Sequence, residues 1–495
     1  MNTNKMSVVV TNNRRFGDIV SKAYFFLILI LLPLYMDGAF YTALIDAKGH
    51  IYWVISALVL VGMVGYYAHG YFSGEYQWQF HFKRWSLLDW SILAVAGCVF
   101  ISFILSDDLS SCFRGDHGFY VGTYMILSSI IFYFFASRNL IADYSLWGLV
   151  MMFNELVFLW IFLNACSVDI LNMHAHIDQN QYFHYLSCLG QMDSISAYLC
   201  LILPVGIVFY VNAQKKDEKN LYARFCILGL LALFCIQTDG VFIGFAFCGL
   251  FLFPYLIGNK ERLVRTLHIG VMAGADLTLL KILFLVIPDR IKQDDGVSNF
   301  LIDHWMGPVI MIFCLLLIWF MQKNERIKES LLKKIGIVSA VLIALVIVGY
   351  AVFSVITFAP RWGNGRGAIW AGSVKVYADY SFVEKLFGLG MEMIVEPLSE
   401  ATGWSVGVAN CHNNILECLL CLGMVGLLAY LFAWFALVRE YVKGNRAKWS
   451  VERIAYFMAL IAYFGQSIVG NPYSLSFPIM FLILALYRNA AWREE

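Results

Sequence analysis

The sequence predicts an all-α polytopic membrane protein of about twelve to fourteen transmembrane helices, with one large extracytoplasmic loop. Three observations predict it. Of 495 residues 60% are hydrophobic and 14% charged, and the mean hydropathy is +0.70, well outside the composition of soluble domains. Apolar runs close to the roughly 20 residues needed to cross a hydrocarbon core of about 30 Å recur along the whole chain. Lysines and arginines collect in alternate connections, so that with the N-terminus in the cytoplasm most of the 35 fall on the inner side and both termini are cytoplasmic. The formal charge of +1 is segregated by side rather than pooled in a patch, which gives nucleic acid no footing.

Taken in order, the expected crossings lie near 23–43, 51–70, 88–105, 119–136, 145–166, 194–212, 224–237, 241–257, 267–287, 303–321, 335–358, 413–438, 453–469 and 475–488. The start, up to Tyr24, has no apolar core or small-residue cleavage site, so no cleavable signal peptide is expected. Three segments follow: membrane helices over 1–358, a loop over 359–412, and C-terminal membrane helices over 413–495.

The first outer connections are modest. Ser106–His117 offers Arg114 and His117 near the membrane surface, and a solvated turn with a snorkelling arginine is the plainer reading. Ser167–Asp193 carries His174, His176, Asp178, His184 and Cys188. The His-x-His pair could face a metal from an extended backbone, but the spacing is not diagnostic, and lining an outer cavity suits the loop better. Gln237-Thr238-Asp239-Gly240 reads as a tight outer turn. Glu155, Asp276 and Lys281 fall inside crossings, where an ionisable group costs a few kcal/mol unless it is paired or faces a cavity. Asp276 and Lys281 are five apart, a poor spacing for a pair on one helix face, so Lys281 either faces an outer cavity or snorkels. Most of the twelve cysteines sit in crossings as small hydrophobes. Cys112, Cys188, Cys411 and the boundary Cys166 could meet an outer oxidant, without any pairing following from the sequence. The single Cys-x-x-Cys, Cys418 to Cys421, lies inside a crossing and makes no zinc pattern, and no GxGxxG or Walker pattern occurs, so no nucleotide or other cofactor is expected.

The longest polar interval runs from about Pro360 to Met424. Gly363, Gly365 and Gly367 make its start flexible, and Trp370, Val374, Tyr377 and Tyr380 recur at helical spacing, as in an amphipathic helix lying along the membrane surface. A second helix from Phe382 to Phe387 should stop at Gly388. Asn414 with Glu417 three residues later matches a capping box, which would begin the next crossing there and put His412 at an outer helix N-terminus. That end disfavours a second positive charge, so the imidazole stays neutral and can act as a base. Arg361 and Arg366 supply planar donor forks matched to phosphate oxygens. Gly403-Trp404-Ser405-Val406-Gly407 matches G-x-S-x-G, which carries little weight without a strand-to-helix turn.

The set RWGNGRGAIW, LFGLGMEM and CHNNILECLLCLGMVGLLAYL resembles the signature of the O-antigen ligase and polymerase superfamily. Its pattern is arginine and tryptophan after a crossing, Gly-x-Gly midway, and His-Asn opening a helix ahead of Gly-x-x-Gly-Leu. The resemblance implies a class C-like membrane glycosyltransferase in the bacterial inner membrane, serving cell-envelope polysaccharide or lipopolysaccharide synthesis. Its donor would be an undecaprenyl-diphosphate-linked glycan and its acceptor a glycan or lipid-linked glycan, with membrane lipid around both. His412 corresponds to the family's catalytic histidine, Arg361 and Arg366 to its diphosphate-binding arginines, and Asn413 and Trp370 to neighbouring substrate contacts. Many members carry Ser-Arg in the turn where this chain has Thr238-Asp239, which leaves that donor contact either missing or supplied by Arg114 or Lys281. The expected chemistry is an inverting displacement without a metal. The alternative is a transporter or flippase of the same lipid-linked glycans, which would use the arginines without needing His412; inverted repeats would favour it, and none is visible.

Overall fold

The computed structural model describes residues 3–38, 40–74, 85–140, 144–287, 296–324, 326–363, 365–403, 408–444 and 449–494. Within them the chain is helical almost throughout. The first helix, α1 (Thr3–Phe26), passes through a π turn at Leu27–Leu31 into the short α2 (Leu32–Leu34). It ends nine residues before the expected crossing does, because Pro33 cannot donate to the helix and Tyr35 turns extended. There follow α3 (Leu44–Phe72), α4 (Leu87–Ile104), the short α5 (Leu109–Arg114), α6 (Thr123–Asn139), α7 (Tyr144–Ala165), α8 (Met192–Asn212), α9 (Lys216–Cys235), α10 (Asp239–Ile257), α11 (Lys260–Val286), the short α12 (Val297–Asp303), α13 (Met306–Lys323) and α14 (Glu329–Ile356). The polar interval holds α15 (Arg366–Asp379), α16 (Phe382–Phe387) and α17 (Val395–Thr402), and α18 (Asn414–Lys443), α19 (Val451–Ser467) and α20 (Ser476–Glu494) close the chain.

Every expected crossing coincides with a helix, and among the described residues ten are long and apolar enough to span a membrane. This is an all-α, multi-pass membrane architecture. Helices α6 and α19 have 17 residues each, and α9 and α20 carry charged ends, which keeps these four below that standard.

The bundle is organised around α8, whose most apolar window is wholly buried. Its sequence is apolar on all sides, as a helix enclosed by others must be, and α9, α10, α19 and α20 pack around it. At the other extreme, only 6% of the corresponding window of α14 is buried and 17% of that of α13. These two lie on α10 and α11 and turn the rest of their apolar surface outward.

The end of the bundle opposite the polar interval is tied by charge. Asp89, fully buried at the start of α4, accepts hydrogen bonds from Arg488 at 2.9 Å, Arg138 at 3.2 Å and the Tyr133 hydroxyl at 2.8 Å. Glu155 on α7 pairs with Arg224 on α9 at 3.4 Å, while Asp276 is buried with Oδ2 lacking a partner among the described residues.

Candidate functional site

The polar interval begins as a compact turn rather than a flexible one. The Trp362 amide donates to the Ala359 carbonyl, Gly367 to that of Trp362 and Ala368 to that of Pro360. Helix α15 starts directly after, packed against α17 and α18. Its buried face is Ile369, Ser373, Val376 and Tyr380, while Val374 is 60% exposed. The stripe expected from Trp370 and Val374 is therefore rotated by about one residue, because the partner is protein and the small Gly372 and Ser373 allow the approach. Helix α16 spans the expected residues, with a capping box between Ser381 and Glu384 and an end at Gly388. Helix α17 escaped the sequence reading.

Behind the loop, α18 breaks at Gly423, where φ is 68° and ψ −171°. The break frees the carbonyls of Leu420 and Cys421, which accept from the amides of Leu389 and Gly390 at 3.1 Å each. Gly388 faces the backbone at Cys421–Leu422 and Gly423 that at Leu386–Phe387, so closely that a Cβ would lie 2.2 Å from the Cys421 carbonyl carbon or 2.3 Å from that of Leu386. The Gly-x-Gly and Gly-x-x-Gly-Leu elements of the motif thus form a joint between loop and helix. Glu392, in the turn after Gly390, accepts from the amides of Gly118, Phe119 and Val121 at 3.0, 3.0 and 2.6 Å and ties the loop to the α5–α6 connection.

At the mouth of α18 the cap is Asn413, not Asn414. The Asn413 carboxamide oxygen accepts from Ile415 and Leu416 at 2.9 and 3.1 Å. Asn414 instead donates to the Tyr430 hydroxyl at 2.8 Å, and Glu417 reaches back to the Cys411 amide at 2.9 Å. The capping box read from the sequence is one residue out of register, since His412 holds a positive φ of 47° and places the non-helical boundary residue at Asn413.

His412 and Arg366 come together. Arg366 opens α15 and pairs with Asp193 at the start of α8 at 3.4 Å, and Asp193 also accepts from Thr238 Oγ1 at 3.2 Å. Both charges act on the His412 ring. Burial lowers the imidazole's proton affinity below the ordinary 6.5, Asp193 works against that, and Arg366 adds to it. The neutral base expected from a helix dipole therefore owes its state first to burial. Arg366 also keeps its Nε buried and without a hydrogen-bond partner among the described residues. The ring's Nδ1 lies 3.2 Å from Asn471 Nδ2, in the α19–α20 connection.

The remaining candidates are placed elsewhere or otherwise employed. Arg361 is exposed and has no ion pair among the described residues. Trp370 donates to the Cys411 carbonyl at 3.1 Å and packs on Trp362, which fixes α15 to the segment that carries His412. Arg114 is exposed and engaged by Asp116 at 3.2 Å and Ser110. Lys281 pairs across to Asp303 at 3.0 Å rather than with Asp276. The turn at Thr238 reaches the site through Asp193, so the departure from the Ser-Arg pattern sits beside Arg366 and not apart from it. Asp193 and Asn471 were missed as site residues, because nothing in their local spacing sets them apart from helix-end polar groups.

His174 has both ring nitrogens occupied, by Asp169 at 2.9 Å and by the carbonyls of Tyr182 and Tyr185, so it is a structural anchor for its loop. Neighbouring residues Tyr185, Leu189, Gly190 and Gln191 line a cavity of about 170 Å³ with Tyr41, Lys48 and Tyr473. All twelve cysteines are free; Cys112, Cys188 and Cys411 are buried. The G-x-S-x-G match at Gly403–Gly407 lies largely outside the described residues. No protein-family model matches the chain and no curated protein matches it.

Proposed function

We propose that this protein is a membrane glycosyltransferase of the O-antigen ligase or polymerase kind, which moves a glycan from an undecaprenyl-diphosphate carrier onto an acceptor sugar at the outer face of a bacterial inner membrane. The convergence of His412, Arg366 and Asp193 at the loop-bearing end of the bundle carries this reading. A buried neutral imidazole suits removal of a proton from an acceptor hydroxyl. The oxygen thus activated bonds to the anomeric carbon as the carbon–phosphate-oxygen bond breaks, and the diphosphate leaves with the electron pair and inversion at carbon. Arg366, with one donor idle and its carboxylate partner at a long 3.4 Å, is poised to receive the charge that grows on that leaving group. Arg361, at the exposed start of the turn, would meet the carrier's outer phosphate.

Purified variants with a synthetic lipid-diphosphate donor test the division of labour. His412→Ala should keep donor affinity and lose roughly 10²–10⁴-fold in turnover, the range for loss of a general base. Arg366→Ala should weaken donor binding, with Lys rescuing only in part because the fork geometry matters. Undiminished turnover in His412→Ala would remove His412 as the base, and a wild type that binds the donor without transferring its glycan would leave a flippase of the same lipids.

A further inference from the structure

His412 Nδ1 meets the first member of a buried chain. Asn471, 1% exposed, lies 3.2 Å from Nδ1 through Nδ2, and the same Nδ2 is 3.3 Å from the hydroxyl of Tyr473, which is 2% exposed and donates to Gln191 Oε1 at 2.9 Å. The carboxamide oxygen of Asn471 is buried with no partner among the described residues. The nitrogen and oxygen of a carboxamide are interchangeable by rotation, and the hydrogen-bond network decides between them. In one orientation Asn471 donates to Nδ1, which forces the neutral ring's proton onto Nε2. In the other its oxygen accepts from Nδ1–H, Tyr473 turns its proton toward Asn471, Gln191 donates from its own amide, and Nε2 is left with its lone pair. Each orientation leaves one end of the Asn471 carboxamide idle, so the two are closely balanced. Gln191 also lines the cavity of about 170 Å³, large enough to hold several waters that can partner either end of its amide.

We propose that Asn471 is the positioning residue of His412, and that reversal of the Gln191–Tyr473–Asn471 chain selects the ring tautomer with a basic Nε2 when an acceptor hydroxyl approaches. The proposal rests on the glycosyltransferase reading for the identity of that hydroxyl. An anionic oxygen approaching Nε2 selects the opposite tautomer, so the chain distinguishes an acceptor sugar from a stray phosphate at the same atom. The charged groups facing the ring are Asp193 from α8 and Arg366 from α15, whereas the partner of Nδ1 is the uncharged Asn471.

The test uses the full chain in lipid nanodiscs, with two readouts on wild type, Asn471→Ala, Asn471→Asp and Tyr473→Phe. In transfer assays with a lipid-diphosphate donor, Asn471→Ala should lower kcat by about 10–100-fold with the donor KM unchanged, the usual effect of losing a group that orients a histidine. Asn471→Asp, nearly the same size, places a carboxylate against Nδ1–H and should raise the pH midpoint of the acid limb by about one unit or more. Independently of turnover, the pH dependence of His412 modification by diethylpyrocarbonate, read by mass spectrometry, should move upward by the same amount in Asn471→Asp. Unmoved modification in Asn471→Asp, or kcat within two-fold of wild type in Asn471→Ala, overturns the role of Asn471. A wild type without transfer activity sinks the glycosyltransferase reading instead, and the modification profile still decides whether Asn471 holds the ring.

Discussion

At the scale of single residues, His412 combines three features that seldom coincide: a left-handed backbone, a ring buried enough to stay neutral, and a cation and an anion acting on it from different helices. A non-glycine residue at positive φ costs on the order of 1 kcal/mol or more and persists where the surroundings hold it; here the Asn410 side chain accepts the His412 amide at 2.9 Å. Because the imidazole's proton affinity is depressed from 6.5, the folded protein binds fewer protons than the unfolded chain just below that pH. Stability linked to this residue is then full above about 6.5 and is lost as the pH falls. The same shift fixes the sign for activity. The acid limb of kcat/KM, which reports the free enzyme's base, should have its midpoint below 6.5, and a midpoint above 7 would show that the titrating base is not a buried His412.

At the scale of elements, the helices were legible because their apolar runs are long, while the joints between them were not. In the sequence Gly388 reads as a helix stop and Gly390 and Gly423 as parts of a motif, yet they belong to one backbone contact. Gly423→Ala would place a Cβ about 2.3 Å from the Leu386 carbonyl carbon at a φ of 68°, so both space and conformation oppose it. A loss of stability of several kcal/mol is expected, above the ordinary Gly→Ala range at a positive φ, visible as a marked drop in thermal unfolding temperature in detergent. The cap of α18 tells the same lesson at one-residue resolution. A pattern of Asn followed three residues later by Glu is satisfied at Asn414, but the left-handed turn at His412 shifts the boundary to Asn413, and no sequence period encodes that turn. Asn413→Ala should cost about 1 kcal/mol, as loss of an N-cap does, whereas Asn414→Leu should act through its lost bond to Tyr430. If Asn414→Leu alone destabilised and Asn413→Ala did not, the assignment of the cap would be wrong. Of the site, His412 and Arg366 were readable from a motif, whereas Asp193 and Asn471 reach them from 173 and 59 positions away, separations that only the packing of α8 and the α19–α20 connection closes.

At the scale of the molecule, the question is which face the loop occupies, since every step of the proposed chemistry needs it outside. The alternation of positive charge was read by counting all lysines and arginines, but the structure shows that they are not equivalent. Arg138 and Arg488 are buried on Asp89, and Arg453 is held by Glu440 and Glu494, so as paired charges they bear on orientation weakly. What remains at the end opposite the loop is nonetheless a broad set of exposed cations: Lys216 and Lys219 near the start of α9, Lys323, Arg326, Lys328, Lys333 and Lys334 between α13 and α14, and Arg439 and Lys443 at the end of α18. At the loop-bearing end the exposed cations are few, with Arg114, Arg361 and Lys375 among them. It is free charge in short connections that resists translocation, so the corrected set agrees with the outer placement that the proposed chemistry needs. Single cysteines in place of Lys375 and of Lys216, in a background whose native cysteines are mostly buried, should separate the two faces in intact cells: an impermeant maleimide should label position 375 at once and position 216 only after permeabilisation. The reverse pattern would place His412 and Arg366 in the cytoplasm and remove the outer-face transfer with them.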